Sequence, residues 1–239
     1  MSASPQRTLV WDLPTRAFHW LLALSFAGAY LTADSERLRD AHMLLGYTTV
    51  GLVAFRLLWG VVGTRYARFA ALPLSPAAVA GYLKSLLRLS PRPYFGHNPA
   101  GSWAIVGMLA LVIGLGATGW AQAVEVGPAW LEDLHEGIAD ALLALVVVHV
   151  AAVLLSSAVH RENLVRAMVS GYKTGQGPAA AGMRWFVALL LVGSIVAFWS
   201  GRIPAPGIEA GRSLVQAAMT QAAGAAGRHG GRQHEDDDD

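Results

Sequence analysis

Residues 134–157 form the segment of this chain that is hardest to place anywhere except in a membrane-spanning helix. The segment reads LHEGIADALLALVVVHVAAVLLSS and is almost entirely apolar after a short acidic start. Because about 20 apolar residues of α-helix cross a bilayer core, its length fits a single span. Yet it contains two histidines, His135 near its start and His149 in its middle. Ionisable groups within spans are rare and usually functional, so these imidazoles require an explanation.

Four further apolar segments define the class of the protein. Charged residues make up only 14% of the 239 residues, against about 25% in an average soluble domain. We therefore predict an all-α integral membrane protein, in which Asp12 caps the first span and Pro14 lies in its first turn. The segment 74–93 is too short and too charged to span, which is typical of an interfacial helix. The predicted spans are 17–33, 42–63, 102–124, 135–159 and 183–200.

The absence of cysteine narrows the chemistry available to the chain. It excludes disulfides, thiolate-ligated iron–sulfur clusters, covalent haem attachment through C-x-x-C-H and cysteine-based zinc sites. Any redox centre must therefore use histidine or other non-thiol ligands. The net charge of +2 does not indicate a nucleic-acid partner, because the basic residues are spread over loops that suit membrane lipid. The N-terminus also lacks the features of a removable signal peptide.

The distribution of basic residues among the loops predicts the orientation in the membrane. The loops 1–16, 64–101 and 160–184 hold most of the lysines and arginines, whereas 34–41 and 121–134 are largely acidic. Since loops rich in Lys and Arg stay in the cytoplasm, we expect a cytoplasmic N-terminus and a periplasmic C-terminus. The chain is then a multi-pass protein of the bacterial inner membrane.

Four histidines fall at two matched depths of the predicted spans. His42 and His135 lie near the outer ends of the second and fourth spans, whereas His19 and His149 lie towards the inner side. The fourteen residues from His135 to His149 make up about 21 Å and just under four turns of helix, so both rings project from nearly the same face. A haem iron with two axial ligands needs two such imidazoles facing across a bundle. The pairs His42/His135 and His19/His149 are therefore predicted to ligate two stacked haem b groups.

Other roles fit these histidines less well. A single histidine at a helix end is more often an interfacial residue than a ligand, which weakens the case for His19 and His135 taken alone. Zinc needs three or four ligands that converge on one point, and these converge only in pairs. A proton relay usually mixes carboxylates with histidine.

Three more residues are candidates for contacts with cofactors. Arg56 lies fourteen residues after His42 and faces the same way. Its side chain has two possible interpretations: a bond to a haem propionate, or snorkelling to the interface. Arg16 is a weaker candidate for the propionate. His97, in GHNPAGS before the third span, is a candidate for contact with a quinone head group. The alternative for His97 is a solvated or helix-capping loop residue, since Asn98-Pro99 is typical of a turn entering a helix.

Four motifs occur in order along the chain: VWDLPTRAFHW (10–20), AHMLLGYTTVGLVAFRLLWGVVGTRYARF (41–69), YFGHNPAG (94–101) and LHEGIADALLALVVVHVAAVLLSSAVHRENLVRAMVSG (134–171). Together they resemble the prokaryotic cytochrome b561 family, in the branch of the cytochrome b subunits of nickel-dependent hydrogenases. The resemblance covers about 8–173 and implies a four-helix bundle with two b haems on His19, His42, His135 and His149. It also implies electron exchange with the quinone pool and a second redox protein. The fifth span departs from this core.

The sequence therefore predicts a membrane dihaem cytochrome b with a four-helix core over 1–173. A linker and fifth transmembrane helix over 174–201 and a periplasmic, largely disordered tail over 202–239 follow it. We expect it to carry electrons between the quinone pool and a periplasmic partner, either a hydrogenase-like enzyme or a c-type cytochrome. An electron-transfer subunit is favoured over a stand-alone enzyme; if active alone, the chain would be a quinone oxidoreductase.

Two alternatives remain open at this point. A superoxide:quinone oxidoreductase would need a positively charged entry beside the outer haem, where the outer loops offer only Arg37 and Arg39. A non-redox transporter or assembly factor would usually show repeated, broken helices, and no internal repeat is found. The sequence leaves homo-oligomerisation open.

Overall fold

The computed structural model describes residues 7–88, 94–175, 177–180, 182–206 and 208. The end of the predicted interfacial segment and almost all of the predicted tail lie outside these residues. The described part contains a two-stranded sheet of β1 (Arg7–Leu9) and β2 (Tyr172–Thr174), with short 3₁₀ turns at Glu36–Leu38 and Phe69–Ala71. Its α-helices are α1 (Leu13–Thr32), α2 (Arg39–Val62), α3 (Pro76–Leu87), α4 (Pro99–Ala123), α5 (Trp130–His160), α6 (Leu164–Ser170) and α7 (Trp185–Trp199).

A helix occurs at each of the five predicted span positions, but their lengths differ. Within the described residues, three segments are long and apolar enough to cross a membrane: Glu36–Val62, Pro99–Ala123 and Trp130–His160. The 20-residue α1 is not among them. The apolar α7 has only 15 residues, or about 22 Å of helix, whereas a bilayer core is about 30 Å thick.

Two helix starts follow from their capping residues, as predicted. The Asp12 side chain accepts a hydrogen bond of 2.8 Å from the Thr15 amide, and Pro14 follows in the first turn of α1. Asn98 does the same for α4, accepting from the Gly101 amide at 2.7 Å. Proline at the first helical positions loses nothing, because its missing N–H would have no helical partner there.

The helix α2 lies at the centre of the bundle and packs on both sides. On one side, Val53 joins a buried cluster with Leu109 and Val112 of α4 and Leu142 of α5. On the other side, Leu52 meets Phe18 of α1 and Leu191 of α7. Adjacent residues of one helix point about 100° apart, so two neighbours can serve two interfaces. The helix that carries His42 and Arg56 is thereby held between α4/α5 and α1/α7.

Asp12 joins the start of α1 to the end of α2. The residue is only 1% exposed, yet its carboxylate accepts from three donors. Besides the Thr15 amide, these are the Trp59 indole N–H at 3.2 Å and the Thr64 hydroxyl at 2.6 Å. A buried carboxylate is stable only with such partners. The sequence indicates the cap, but not the two bonds to α2 and the loop after it.

The small sheet ties the N-terminus to the segment after α6. β1 pairs antiparallel with β2, with Thr8 opposite Lys173, and the amides of Val10 and Trp11 both donate to the Gly171 carbonyl. Gly171 has φ 89°, and a Cβ there would lie 2.7 Å from the Trp11 carbonyl oxygen, so only glycine fits. The segments 7–12, 63–75, 94–98, 161–175, 177–180 and 182–184 thus form one end of the bundle, here called the arginine-rich end. The opposite end, with 33–38 and 124–129, is called the acidic end.

We expect the Asp12→Ala variant to be less stable than the unchanged chain by about 3 kcal/mol. Removing the carboxylate leaves three donors without their acceptor, and each buried unpaired donor costs about 1–3 kcal/mol. The thermal unfolding midpoint of the detergent-solubilised full chain, followed by circular dichroism, measures the loss. Asp133→Ala, at an exposed residue in the first turn of α5, is the control and should melt near the unchanged chain. Equal midpoints for the two variants would contradict the role of Asp12.

Candidate functional site

His42 of α2 and His135 of α5 face each other near the acidic end. Their ring centres are 6.3 Å apart and their planes are inclined by 69°. A metal between two imidazoles, at about 2 Å from each nitrogen, needs a ring separation of roughly 6 Å. The predicted juxtaposition of these two side chains is therefore present, and its spacing fits the axial ligation of a haem iron.

Hydrogen bonds fix both of these rings through Nδ1. The Nδ1 of His42 is 2.8 Å from the Ala29 carbonyl oxygen, and the Nδ1 of His135 is 2.7 Å from the Thr118 hydroxyl. The carbonyl can only accept, and the hydroxyl already donates to the Gly114 carbonyl at 3.0 Å. Each Nδ1 therefore donates, which leaves the Nε2 lone pair free for a metal. Neither Ala29 nor Thr118 has a sequence signal that would identify it.

Glycine shapes the space around the His42/His135 pair. A Cβ at Gly119 of α4 would lie 3.1 Å from the His135 ring, so glycine permits this close approach. Gly46 lies one turn after His42, on the helix face that also carries Val53. A Cβ there would meet no atom within 4 Å. Space is therefore open at Gly46, one turn from His42.

His19 and His149 lie in the half of the bundle nearer the arginine-rich end. His19 precedes Ala29 by ten residues of α1, which is about 15 Å along the helix from the Ala29–His42 contact. His149 is about 21 Å along α5 from His135. The Nδ1 of His19 is buried with no hydrogen-bond partner among the described residues. Buried polar groups are normally satisfied, so this nitrogen indicates a missing partner. Joint ligation by these two histidines stays a prediction.

Arg56 is buried rather than snorkelled to the interface. It is 4% exposed, and its guanidinium carbon stands 4.7 Å above the centre of the Phe69 ring. Its Nη1 is buried and has no hydrogen-bond partner in the described part of the chain. A buried cation that lacks such a bond is costly. Burial therefore favours the interpretation in which the Arg56 guanidinium donates a hydrogen bond to an anion such as a propionate.

Arg16 is already engaged by the protein. Its Nη1 donates to the Val169 carbonyl, and its Nη2 is 3.5 Å from the Met183 sulfur. Only its buried Nε is without a partner among the described residues. Arg16 therefore fastens α1 to the segments after α5, and has less left to offer an anion than Arg56.

His97 lies against Trp11 at the arginine-rich end, directly before α4. The two ring centres are 4.6 Å apart. Burial, with the nearby positive charges of Arg56 and Lys173, lowers the pKa of His97 from 6.5 to about 3. A neutral imidazole can donate one hydrogen bond and accept another, as a quinone or quinol head group requires. The contact between His97 and a quinone stays a prediction.

Lys173 extends the polar region around His97, and the sequence alone did not predict it as part of the site. It is 8% exposed, donates to the Tyr94 carbonyl at 3.2 Å and pairs with Glu162 at 3.4 Å. The second carboxylate oxygen of Glu162 is buried without a partner among the described residues. Neither residue belongs to a recognisable sequence pattern. Lys173 reaches the region of His97 only because β1 pairs with β2, and this pairing cannot be read from one segment of sequence.

Comparison with known proteins gives one family and a consistent set of relatives. The family model described as prokaryotic cytochrome b561 matches residues 10–171. A protein of Azotobacter vinelandii named "Probable Ni/Fe-hydrogenase B-type cytochrome subunit" is 28% identical over 215 residues, covering 69% of this chain and 87% of the relative. Proteins of the same name from Cupriavidus necator and Rhodobacter capsulatus are each 25% identical, covering 72% and 69% of this chain and 88% and 80% of theirs. No solved structure matches significantly.

We expect His97 to make the stability of the chain depend on pH. Its folded pKa lies below the unfolded value of 6.5, so the unfolded state binds more protons as the pH falls. The free energy of unfolding therefore decreases as the pH is lowered from about 6.5 towards 3. In His97→Gln this contribution is absent, so the melting midpoint should fall less between about pH 7 and pH 5. His160→Gln, at the end of α5, is the matched control and should keep the full dependence. Parallel curves for all three proteins would argue against the lowered pKa.

Proposed function

Because the chain belongs to the prokaryotic cytochrome b561 family, we propose that it is a dihaem b-type cytochrome that carries electrons across the membrane. The observation that supports this most directly is the 6.3 Å separation of the His42 and His135 rings. Both rings leave Nε2 free, because Nδ1 is occupied in each. His42 and His135 would hold one haem b, and His19 and His149 the other.

A haem iron held by two of these imidazoles would supply reversible one-electron transfer. The chain's own residues set the conditions for that transfer. Ala29 and Thr118 hold the His42 and His135 rings in the tautomer that presents Nε2. Val53, Val112 and Leu142 fill the space between α2, α4 and α5 and exclude water. Arg56 would hold a propionate at the arginine-rich end through charge-assisted hydrogen bonds.

The proposed architecture is a four-helix core of α1, α2, α4 and α5, with α7 as a fifth membrane helix. The arginine-rich end would face the cytoplasm and the acidic end the periplasm, following the positive-inside rule. The two histidine levels are then separated by about 21 Å along α5, which carries electrons across most of the hydrocarbon core. The short α7 would depend on α1 and α2 for its place in the membrane.

The relatives indicate the partner. They are named as probable cytochrome subunits of Ni/Fe-hydrogenases, so a hydrogenase-like enzyme is the partner we propose at the acidic end. A c-type cytochrome is the other candidate there. Quinone would exchange electrons near the His19/His149 level, with His97 in contact with its head group. Electrons from a hydrogenase would thus leave as quinol.

We expect the purified full chain to contain about two haem b per polypeptide. The variants His42→Ala and His135→Ala should each keep one haem and share one reduced-minus-oxidised spectrum, because they break the same pair. His19→Ala and His149→Ala should share the other spectrum. His160→Gln serves as the control and should keep both haems. One haem in the unchanged chain, or four variants with unrelated spectra, would break the proposed pairing.

Arg56→Gln should lower the midpoint potential of the haem held by His19 and His149 by tens of millivolts. A positive charge beside a haem stabilises its reduced form, and about 59 mV corresponds to a tenfold change in a one-electron equilibrium. An optical redox titration of the purified chain measures both potentials. Arg56→Lys should restore part of the shift. Arg166 is an exposed residue at the same end, and the control Arg166→Gln should leave both potentials unchanged. If Arg56→Gln also leaves them unchanged, no propionate lies beside Arg56.

A further inference from the structure

A cavity of about 600 Å³ lies where the end of α2 approaches the start of α7. Its walls combine apolar side chains with basic ones. The residues that form its walls are Trp59, Val62, Gly63, Thr64, Arg65, Arg68, Ala179, Arg184 and Val187. All three charged residues in this set are arginines, so the cavity is suited to an anion.

The three arginines are available to such an anion. All three are exposed, and among the described residues no ion pair joins Arg65, Arg68 or Arg184 to a carboxylate. The nearby Asp12 carboxylate is buried and already accepts from Trp59 and Thr64. Arginine binds phosphate well, because its planar guanidinium donates two parallel hydrogen bonds.

The start of α7 adds to the positive potential. Arg184 precedes the first helical residue with φ 51° and ψ 40°, and its side chain does not cap the helix. The first amides of α7 therefore lack a side-chain acceptor and carry the positive end of the helix dipole. The left-handed backbone at Arg184 is an unfavourable conformation for a residue with a Cβ. It turns the chain into α7 at the rim of the cavity.

Exposed apolar residues adjoin the cavity walls along α2 and α7. Val61 and Val62 at the end of α2 are 69% and 64% exposed, and Trp185 and Phe186 at the start of α7 are 62% and 60% exposed. A free inorganic anion gains nothing from these apolar side chains. A phospholipid matches both parts, since its phosphate carries the charge and its acyl chains are apolar.

We propose that this cavity binds an anionic phospholipid. The phosphodiester lies on Arg65, Arg68 and Arg184, and the acyl chains run along Val62 and Val187 towards the hydrocarbon core. The site joins the core to α7, which lies beyond the matched residues 10–171. The lipid thereby adds a contact between α2 and the short fifth helix.

Native mass spectrometry of the detergent-solubilised full chain with added phosphatidylglycerol tests the proposal. The unchanged chain should bind one lipid more tightly than the rest, and phosphatidylcholine should bind at least about tenfold more weakly. The variant Arg65→Gln/Arg68→Gln/Arg184→Gln should lose this preference. The variant Arg88→Gln/Arg161→Gln/Arg166→Gln removes the same charge from the same end and should keep it. Equal losses in the two variants, or none in the first, would overturn the proposal.

Two further arms separate lipid from free anion and folding from binding. Inorganic phosphate at millimolar concentration should not displace the lipid; displacement would assign the site to a free anion. Val187→Trp fills the apolar wall but keeps all three arginines, so it should weaken phosphatidylglycerol binding about as much as the arginine variant does. Asn tolerates a left-handed backbone, so Arg184→Asn removes one charge without added strain. It should fold normally and bind several-fold more weakly, and unchanged binding would count against the site.

Discussion

The buried carboxylate of Asp12 is the interaction on which the arginine-rich end of the bundle depends. It accepts from the backbone of α1, the Trp59 indole of α2 and the Thr64 hydroxyl of the following loop. His19 follows Asp12 by two turns of α1, and Arg56 precedes Trp59 by one turn of α2. The same carboxylate therefore sets the depth of a candidate haem ligand and of a candidate propionate partner. It also fixes one wall of the arginine-lined cavity, through Trp59 and Thr64.

The two histidine levels are prepared in different ways. Near the acidic end, both rings are already oriented by acceptors on neighbouring helices, Ala29 of α1 and Thr118 of α4. Near the arginine-rich end, the Nδ1 of His19 and the Nη1 of Arg56 are buried without hydrogen-bond partners among the described residues. Both arrangements are compatible with cofactor binding. They differ in how stable the geometry of each histidine pair is before a cofactor binds. The first can keep its ring geometry alone, whereas the second gains its missing bonds when a cofactor is present.

Helical periodicity and hydropathy predict those parts of this molecule that depend on one segment at a time. These parts include the five helix positions, the caps at Asp12 and Asn98, and the common face of His135 and His149. Contacts between distant segments are not. The bonds from Asp12 to Trp59 and Thr64, the hydroxyl behind His135 and the position of Lys173 all depend on how the helices pack. The strands β1 and β2 are too short for an alternating pattern, and they exist only because the two segments meet.

The pairing of β1 with β2 constrains the order in which the molecule can be completed during synthesis. Thr8 is synthesised well before its neighbour Lys173, which follows more than 160 residues later in the chain. α1 is therefore made without the strand, the Gly171 carbonyl or the Val169 carbonyl that later hold its N-terminal end. The arginine-rich end closes only after α5 and α6 have been made, because β2 follows them in the chain. Until then that end stays open, which leaves a route by which a large planar molecule can reach the interior of the bundle.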